Sequence, residues 1–152
     1  MSADNQQERL SANWVVGFVD GEGCFYVGVN YPRNRLQILP EFRIVQHERD
    51  EAVLFELQKF FGFGKVTINN GDRKELRVRG IQNLKNIVDF FKKFPLKTKK
   101  QKDFEKFAEI IGMMSEKKHL SEVGQKRILE ITEQMRRRKK RLKSSETIRQ
   151  TP

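Results

Sequence analysis

Hydrophobic residues follow two different periods along the chain, and each change of period marks a predicted element. Ser11 can cap a short helix through NWVVGFVD, which ends at Gly21 and Gly23. Between Cys24 and Asn30 apolar and polar residues then alternate, which predicts a strand with one covered face. The residues expected to face inward on this strand are Phe25, Val27 and Val29.

A second strand of the same alternating kind comes next, and a second helix follows it. A turn at residues 31–35 leads to a strand at about residues 36–45, with Phe42 and Ile44 facing inward. Apolar residues at helical spacing after Asp50 predict a helix that Gly62 ends. These apolar positions are Val53, Leu54, Leu57, Phe60 and Phe61.

A second pair of strands and three more helices complete the pattern. Strands at residues 65–68 and 76–79 flank the turn NNGD. Their inward residues are Val66, Ile68, Leu76 and Val78. The helices are marked by Leu84, Ile87, Val88 and Phe91 before Pro95, by Phe104, Phe107, Ile111 and Met114, and by Ile128, Ile131 and Met135.

The order αββαββα with additional C-terminal helices predicts an α+β fold. One four-stranded antiparallel sheet would have its inner face covered by helices. Its outer face would carry Arg, Lys, Gln, Asn, Tyr and Thr side chains, which can hydrogen-bond base edges and phosphates. An ordinary solvated sheet face has the same pattern, so alternation alone does not decide between these interpretations.

The charge of the chain favours an anionic partner. Thirty-one Lys and Arg against 20 Asp and Glu give a formal net charge of +11, which points to nucleic acid or an acidic membrane surface. The excess is concentrated after Leu96, where 17 basic residues face 8 acidic ones. Before that point the counts are 14 and 12, so the C-terminal third is the basic part.

A single cysteine, Cys24, excludes an internal disulfide and a Cys-rich zinc site, and it favours a reducing compartment. The start, MSADNQQERL, lacks the features of a secretion signal or a transit peptide. No stretch approaches the length of a membrane span. We therefore expect a soluble protein with no membrane partner that acts where it is made.

The segment at the end of the first helix carries the most specific signal. Residues 15–23 read VVGFVDGEG and resemble the nine-residue motif of the LAGLIDADG homing endonucleases. The residues that match its glycine, acid, small, acid and glycine positions are Gly17, Asp20, Gly21, Glu22 and Gly23. The motif leads directly into an alternating strand and then ββαββα, the order of that family's core. The resemblance covers roughly residues 13–102.

The spacing of the motif glycines favours contact between two copies of the helix. Gly17 and Gly21 lie on one helical face, where a second backbone could approach closely. A glycine within a helix costs about 1 kcal/mol relative to alanine, so Gly17 suggests such packing. With Trp14 and Phe18, these residues form the expected dimer interface. Only one copy of the motif is visible, which favours a homodimer over a two-motif monomer.

Glu22 is the expected metal ligand. Its anion would lie at the carboxyl end of the helix, where the helix dipole disfavours it by about 0.3–1 kcal/mol unless a cation is bound. In a dimer the two Glu22 carboxylates would also repel each other. Hard oxygen ligands suit Mg²⁺, with Mn²⁺ or Ca²⁺ able to replace it for binding. The resemblance implies that the carbonyl of Gly21 supplies a further oxygen.

Local matching to the family extends the catalytic set. FRIVQ resembles the segment whose glutamine positions water, which gives Gln46, and PLKTKKQK resembles the segment with an active-site lysine. That lysine aligns best with Lys99, and Lys97 is the alternative. Such a lysine would stabilise charge on the phosphate or organise the water network. Asp20 is interpreted as structural, because the first acid of the motif fixes the helix end in the family.

The remaining polar residues are assigned to the DNA surface or to solvent. Arg49 is a weaker candidate for a phosphate contact, and His47 and His119 are interpreted as surface residues. The DNA-binding candidates on the strands and turns are Cys24, Tyr26, Asn30, Arg33, Arg35, Gln37, Glu41, Arg43, Lys65, Thr67, Asn69, Glu75, Arg77 and Arg79.

A dense basic run, MRRRKKRLK, lies near the C-terminus. We favour a helix end or flexible arm that contacts the DNA backbone, although a localisation signal would look similar. We expect one domain over residues 1–143, with a core at about 11–115 and C-terminal helices at about 99–143. Residues 144–152 are expected to be disordered.

The resemblance implies a site-specific, Mg²⁺-dependent endonuclease that acts as a homodimer. It would hydrolyse both strands of a long, near-palindromic duplex, leave 3′ overhangs and promote intron mobility. The resemblance also implies a gene that is organelle-encoded (chloroplast or mitochondrion) or microbial. The main alternative is a non-cleaving protein of the same fold, either an RNA maturase that binds intron RNA or a DNA-binding regulator. A basic ribosome-associated protein would explain the charge but not VVGFVDGEG.

Overall fold

The computed structural model describes residues 10–149, with side chains described as far as Lys140. Its helices are α1 (Ala12–Glu22), α2 (Glu51–Phe61), α3 (Ile81–Lys93), α4 (Lys100–Ser115) and α5 (Glu122–Arg149). Its strands are β1 (Gly23–Asn30), β2 (Gln37–His47), β3 (Lys65–Asn70) and β4 (Arg73–Val78). This order confirms the predicted α+β fold and the αββαββα arrangement followed by C-terminal helices.

The four strands form one antiparallel sheet in the order β1-β2-β4-β3. Cys24 pairs with Arg43, Arg43 with Arg77 and Arg77 with Lys65, so one row of polar residues crosses the sheet. Because side chains alternate between faces, this row lies opposite the inward residues. The expected division into an apolar inner face and a polar outer face is therefore present.

The core is built on phenylalanine rings between the sheet and the helices. The Phe25 ring of β1 lies 5.2–5.7 Å, centroid to centroid, from the rings of Phe42, Phe91, Phe104 and Phe107. These five rings come from β1, β2, α3 and α4, and all are buried. Edge and tilted contacts between aromatic rings add to the stabilisation from burial itself. This cluster fixes the sheet against the helical layer.

Local signals in the sequence set the ends of the helices. The Ser11 hydroxyl accepts a hydrogen bond from the Trp14 N–H at 3.1 Å, as a cap does. α2 ends at Gly62, whose φ of +84° is the left-handed conformation that favours glycine. Both boundaries agree with the predictions made from sequence.

One inward prediction was wrong. Ile68 is 66% exposed, although its neighbours Val66 and Leu76 pack against the core. The pairing of β3 with β4 shifts register between Ile68 and Asn70, near the end of an edge strand. The irregularity interrupts the alternation that the sequence pattern assumes.

The C-terminal helix is longer than expected. α5 continues to Arg149, so residues 144–149, for which we predicted disorder, are helical. The rest of that predicted tail, residues 150–152, and the N-terminal residues 1–9 lie outside the described residues. Within the described range, none of the helices is both long and apolar enough to cross a membrane.

Candidate active site and nucleic-acid interface

Asp20 ties the end of α1 to the loop between α3 and α4. Its carboxylate accepts hydrogen bonds from the Lys97 N–H at 2.7 Å, the Thr98 N–H at 3.1 Å and the Thr98 hydroxyl at 2.5 Å. Burial acts to raise the pKa of Asp20, but these hydrogen bonds outweigh it and lower the pKa overall. Asp20 therefore has the structural role that we predicted for the first acid of the motif.

Lys100 also contacts this end of α1, through its ammonium group. Its Nζ donates to the Val19 carbonyl at 3.0 Å, an oxygen that also accepts the backbone N–H of Gly23. Burial lowers the pKa of Lys100, while nearby Cys24, Asp20 and Glu22 partly oppose the shift. Sequence reasoning missed this lysine, because KTKKQK offers four candidates and spacing does not show which one turns inward.

Gly21 and Glu22 lie at the exposed end of α1. The Glu22 carboxylate and the late carbonyls of the helix are hard oxygen donors, which suit Mg²⁺. Among the described residues, no group of three His, Cys, Asp or Glu side chains comes together as a metal site. One chain therefore offers a single carboxylate and helix-end carbonyls as possible oxygen ligands at this end of α1.

The sheet register places Gln46 near Glu22. Gly23, which follows Glu22, pairs with Ile44, and Gln46 lies two residues further along β2. Gln46 has the same alternation as Ile44, so it points to the side of the sheet on which α1 packs. It is half-buried there.

Lys99 lies on the loop that Asp20 holds. It immediately follows Thr98 and precedes α4, and its side chain is exposed. Lys97 is exposed as well, but its backbone N–H is bound to Asp20. Sheet pairing and the Asp20 contacts thus place the segments that carry Glu22, Gln46 and Lys99 at the same end of α1.

One face of α1 is apolar and open. The exposed ring of Trp14 stacks on that of Phe18, with centroids 4.9 Å apart and planes inclined by 12°. Apart from the adjacent residues and nearby backbone of α1 itself, no heavy atom of the described residues lies within 4 Å of the position that a Cβ would take on Gly17 or Gly21. The motif glycines therefore leave clear space for a partner backbone beside two stacked rings.

Two of the predicted DNA-binding residues are covered by neighbouring side chains. Glu41 and Glu75 lie on the outer face of the sheet, yet they are only 5% and 1% exposed. Arg43, Arg77 and Arg79 surround Glu41, and Arg77 also pairs with Glu75. Alternation predicted open carboxylates, because it ignores the length of arginine side chains on adjacent strands.

The other predicted contacts are distributed across the same face and its connecting turn. Asn30 pairs with Gln37 at the far end of the β1–β2 hairpin, and both are exposed. Arg33 and Arg35 are exposed in the turn between them, where Arg33 has a φ of 52°. The remaining candidates on this face are Cys24, Tyr26, Lys65, Thr67 and Asn69.

The basic end of α5 lies beside the motif, a feature that sequence reasoning did not locate. Arg138 donates two hydrogen bonds to the Asp103 carboxylate on α4, at 2.7 and 2.5 Å. On the next residue, the Lys139 Nζ lies 3.6 Å from the Cys24 Sγ, two positions after Glu22. The run of like charges gave no sign of a buried partner in α4.

His47, which we predicted to be a surface residue, links the end of β2 to the turn between β3 and β4. His47 Nε2 lies 2.9 Å from an Asp72 carboxylate oxygen, and its Nδ1 accepts the Arg49 N–H at 3.1 Å. The Arg49 side chain is exposed beside Asp50, 3.8 Å away. His119 is half-buried in the turn before α5.

The chain is similar to proteins of one family. The sequence model of the LAGLIDADG endonuclease family matches residues 15–111. The solved homing endonuclease I-TnaI is 57% identical, with a TM-score of 0.79 over 82% of this chain and 86% of that one. I-LtrWI, solved bound to its target DNA, is 27% identical with a TM-score of 0.79, and 87% of this chain covers 51% of that one.

Among curated proteins, a probable intron-encoded endonuclease of Neurospora crassa is 35% identical over 121 residues, which is 78% of this chain and 26% of the relative. The chain spans about a quarter of the length of this protein and of three other relatives. The family match covers more than half of the chain and includes the motif, the sheet and the loop that carries Lys99. The chain belongs to the LAGLIDADG endonuclease family.

Proposed function

We propose that this protein is one subunit of a homodimeric, metal-dependent homing endonuclease. The observation that carries the proposal is the open face of α1, where the space beside Gly17 and Gly21 adjoins the exposed Glu22. Two such helices packed along their glycines would bring two carboxylates together. The dimer would then complete a site for which one chain supplies only half of the ligands.

The outer face of the sheet is the proposed DNA surface. Its arginines, lysines and amides can donate to base edges in the major groove and to phosphates. I-LtrWI, which has the same fold, was solved bound to target DNA. In a twofold dimer the two sheets would contact the two halves of a long, near-palindromic site, and the paired ends of α1 would lie over its centre.

The chemistry proposed is hydrolysis of one phosphodiester in each strand, with 3′ overhangs. Glu22 and the Gly21 carbonyl would hold Mg²⁺, which supplies Lewis-acid stabilisation of the phosphate oxygens and lowers the pKa of a bound water. Gln46 would orient the attacking water through its side-chain amide. Lys99 would place an ammonium near the phosphate as negative charge develops.

Two further elements support binding and biological role. The basic residues at the end of α5, beside Cys24, would contact the DNA backbone and add affinity with little sequence preference. Relatives named as intron-encoded endonucleases favour a gene within an intron of an organellar or microbial genome, whose mobility the cleavage would promote. Binding of intron RNA belongs to the non-cleaving alternative.

The decisive experiment compares wild type with Glu22→Gln on duplex DNA that spans the intron-insertion site, with Mg²⁺ or EDTA. We expect wild type to cut only with metal and the variant to bind without cutting. Glu116→Gln, at an exposed position just after the far end of α4, is the matched control and should cut normally. Sequencing of the product ends tests for 3′ overhangs. If wild type and control bind the site but neither cuts with Mg²⁺, the endonuclease proposal fails and the maturase or regulator takes its place.

A further inference from the structure

Two carboxylates lie within the sheet's outer face, which we propose binds DNA, a polyanion. Glu41 and Glu75 occupy the middle of the sheet's outer face, on β2 and β4, and both are buried beneath arginine side chains. Carboxylates weaken binding to phosphates, so nonspecific attraction gives no reason for their presence. Their effect must come through the arginines that they contact.

Glu41 is the point where three guanidinium groups converge. The Arg79 Nε donates to Glu41 Oε2 at 2.8 Å. The Nε atoms of Arg43 and Arg77 lie 3.2 and 3.6 Å from Glu41 oxygens, within ion-pair distance, but neither makes a hydrogen bond of good geometry. Each arginine therefore faces Glu41 with its Nε edge rather than with its terminal amino groups.

The three arginines differ in which of their guanidinium nitrogen atoms remain free of protein partners. Arg77 is held a second time, because its Nη2 pairs with Glu75 at 2.5 Å, and Glu75 also accepts from Asn69 at 2.9 Å. Arg43 is held by the Tyr26 ring, with its Cζ 4.8 Å from the ring centroid. Arg79 is 58% exposed along its side chain. The terminal amino groups of Arg43 and Arg79 are thus those left to bind a ligand.

We propose that Glu41 is a positioning residue that holds Arg43 and Arg79 to read two guanines in each half-site. This inference rests on the proposed function and adds the bases recognised. Two parallel N–H donors of a guanidinium match the O6 and N7 acceptors of guanine in the major groove. Fixing the Nε edge restricts a flexible side chain before DNA arrives, which lowers the entropic cost of the contact.

The register gives the spacing of these guanines. Arg43 pairs with Arg77, so Arg79, one residue past the end of β4, is its diagonal neighbour. Diagonal neighbours in a sheet are about 7–8 Å apart, and base pairs in a duplex rise about 3.4 Å. With the strands lying along the groove, the two guanines are separated by about two base-pair steps. Direct reading of cytosine by Glu41 does not fit, because its oxygens are already occupied and buried.

The test is a selection of bound duplexes from a pool randomised across one half-site, with the full-length protein in Ca²⁺. Wild type is compared with Glu41→Gln, Arg43→Lys and Arg79→Lys. Glu56→Gln on α2, away from the sheet's outer face, is the matched control. Wild type should select two guanines about two steps apart. Glu41→Gln should lose about tenfold of the preference at both positions together, a signature that follows from their shared anchor.

Each lysine variant should lose the preference at one position only, and the control should lose neither. Affinity for unrelated DNA should be unchanged or higher in Glu41→Gln, because a negative charge is removed. If Glu41→Gln does not fold, Arg79→Lys still tests the idea, since that side chain is largely exposed. The inference fails if wild type selects a specific site without these guanines, or if Glu41→Gln changes only a cytosine preference. If wild type selects no sequence at all, the proposed function itself fails.

Discussion

Replacing Arg138 with methionine removes the cation that holds α5 against α4. The Asp103 carboxylate, 9% exposed, would lose two charge-assisted hydrogen bonds and remain buried with no comparable partner. Breaking a buried ion pair on one side costs about 3–5 kcal/mol, and the 19% exposure of Arg138 places the expected loss near the lower end. For a domain of this size, about 3 kcal/mol corresponds to a decrease in Tm of roughly 6–12 °C.

A double-mutant cycle separates the worth of the pair from the cost of an orphaned charge. Asp103→Leu combined with Arg138→Met replaces both charges by apolar groups and should lie within about 1 kcal/mol of wild type. The free energy of unfolding is measured by urea denaturation at one fixed protein concentration, because the proposed dimerisation would contribute to apparent stability. If the double variant is as unstable as the sum of the two single variants, the ion pair does not act as described.

Two further perturbations test the helix that carries the motif. Gly17→Leu should convert the proposed dimer to a folded monomer in light-scattering measurements. Gly112→Leu, at a helical glycine with equally open space, should leave the dimer intact. If both variants are dimers, the proposed interface is wrong. Asp20→Asn should destabilise the protein by about 1–3 kcal/mol at pH 7 in EDTA, because an amide group would face backbone donors. Since the folded pKa of Asp20 is lowered, its ionisation stabilises the fold fully above pH 3.8 and this stabilisation is lost as the pH falls through the folded value. The difference between wild type and Asp20→Asn should therefore shrink in acid; a constant difference from pH 7 to pH 3 would show that the charge of Asp20 is not involved.

The period of the hydrophobic residues was sufficient to predict the sheet and the helices around it. The inward positions Phe25, Phe42 and Ile44 are all buried, because strict alternation leaves a strand little choice of face. Ile68 does not follow this alternation, because the pairing of β3 with β4 shifts register there. Such a shift depends on the partner strand and cannot be predicted from the sequence of β3 alone.

The candidate site could be predicted where a motif identified the residue. It was harder to predict where several neighbouring residues of the same type could have made the contact. Glu22 followed from its place in VVGFVDGEG and lies exposed at the end of α1, and its role as a metal ligand stays a prediction. The inward turn of Lys100 and the pairing of Arg138 with Asp103 depend on contacts between residues far apart in sequence. Spacing along the chain contains no information about such contacts.

The arginine and glutamate network on the sheet has a consequence for how target preference changes during evolution. Because Arg43, Arg77 and Arg79 share Glu41, substitution of Glu41 alters the environment of all three arginines. Changes in recognition at neighbouring base pairs are then coupled, and a new preference requires a set of compatible substitutions. The buried phenylalanines on the opposite face do not participate in this network. Retargeting this surface by design should therefore vary the four outer-face residues as one unit while the core is left unchanged.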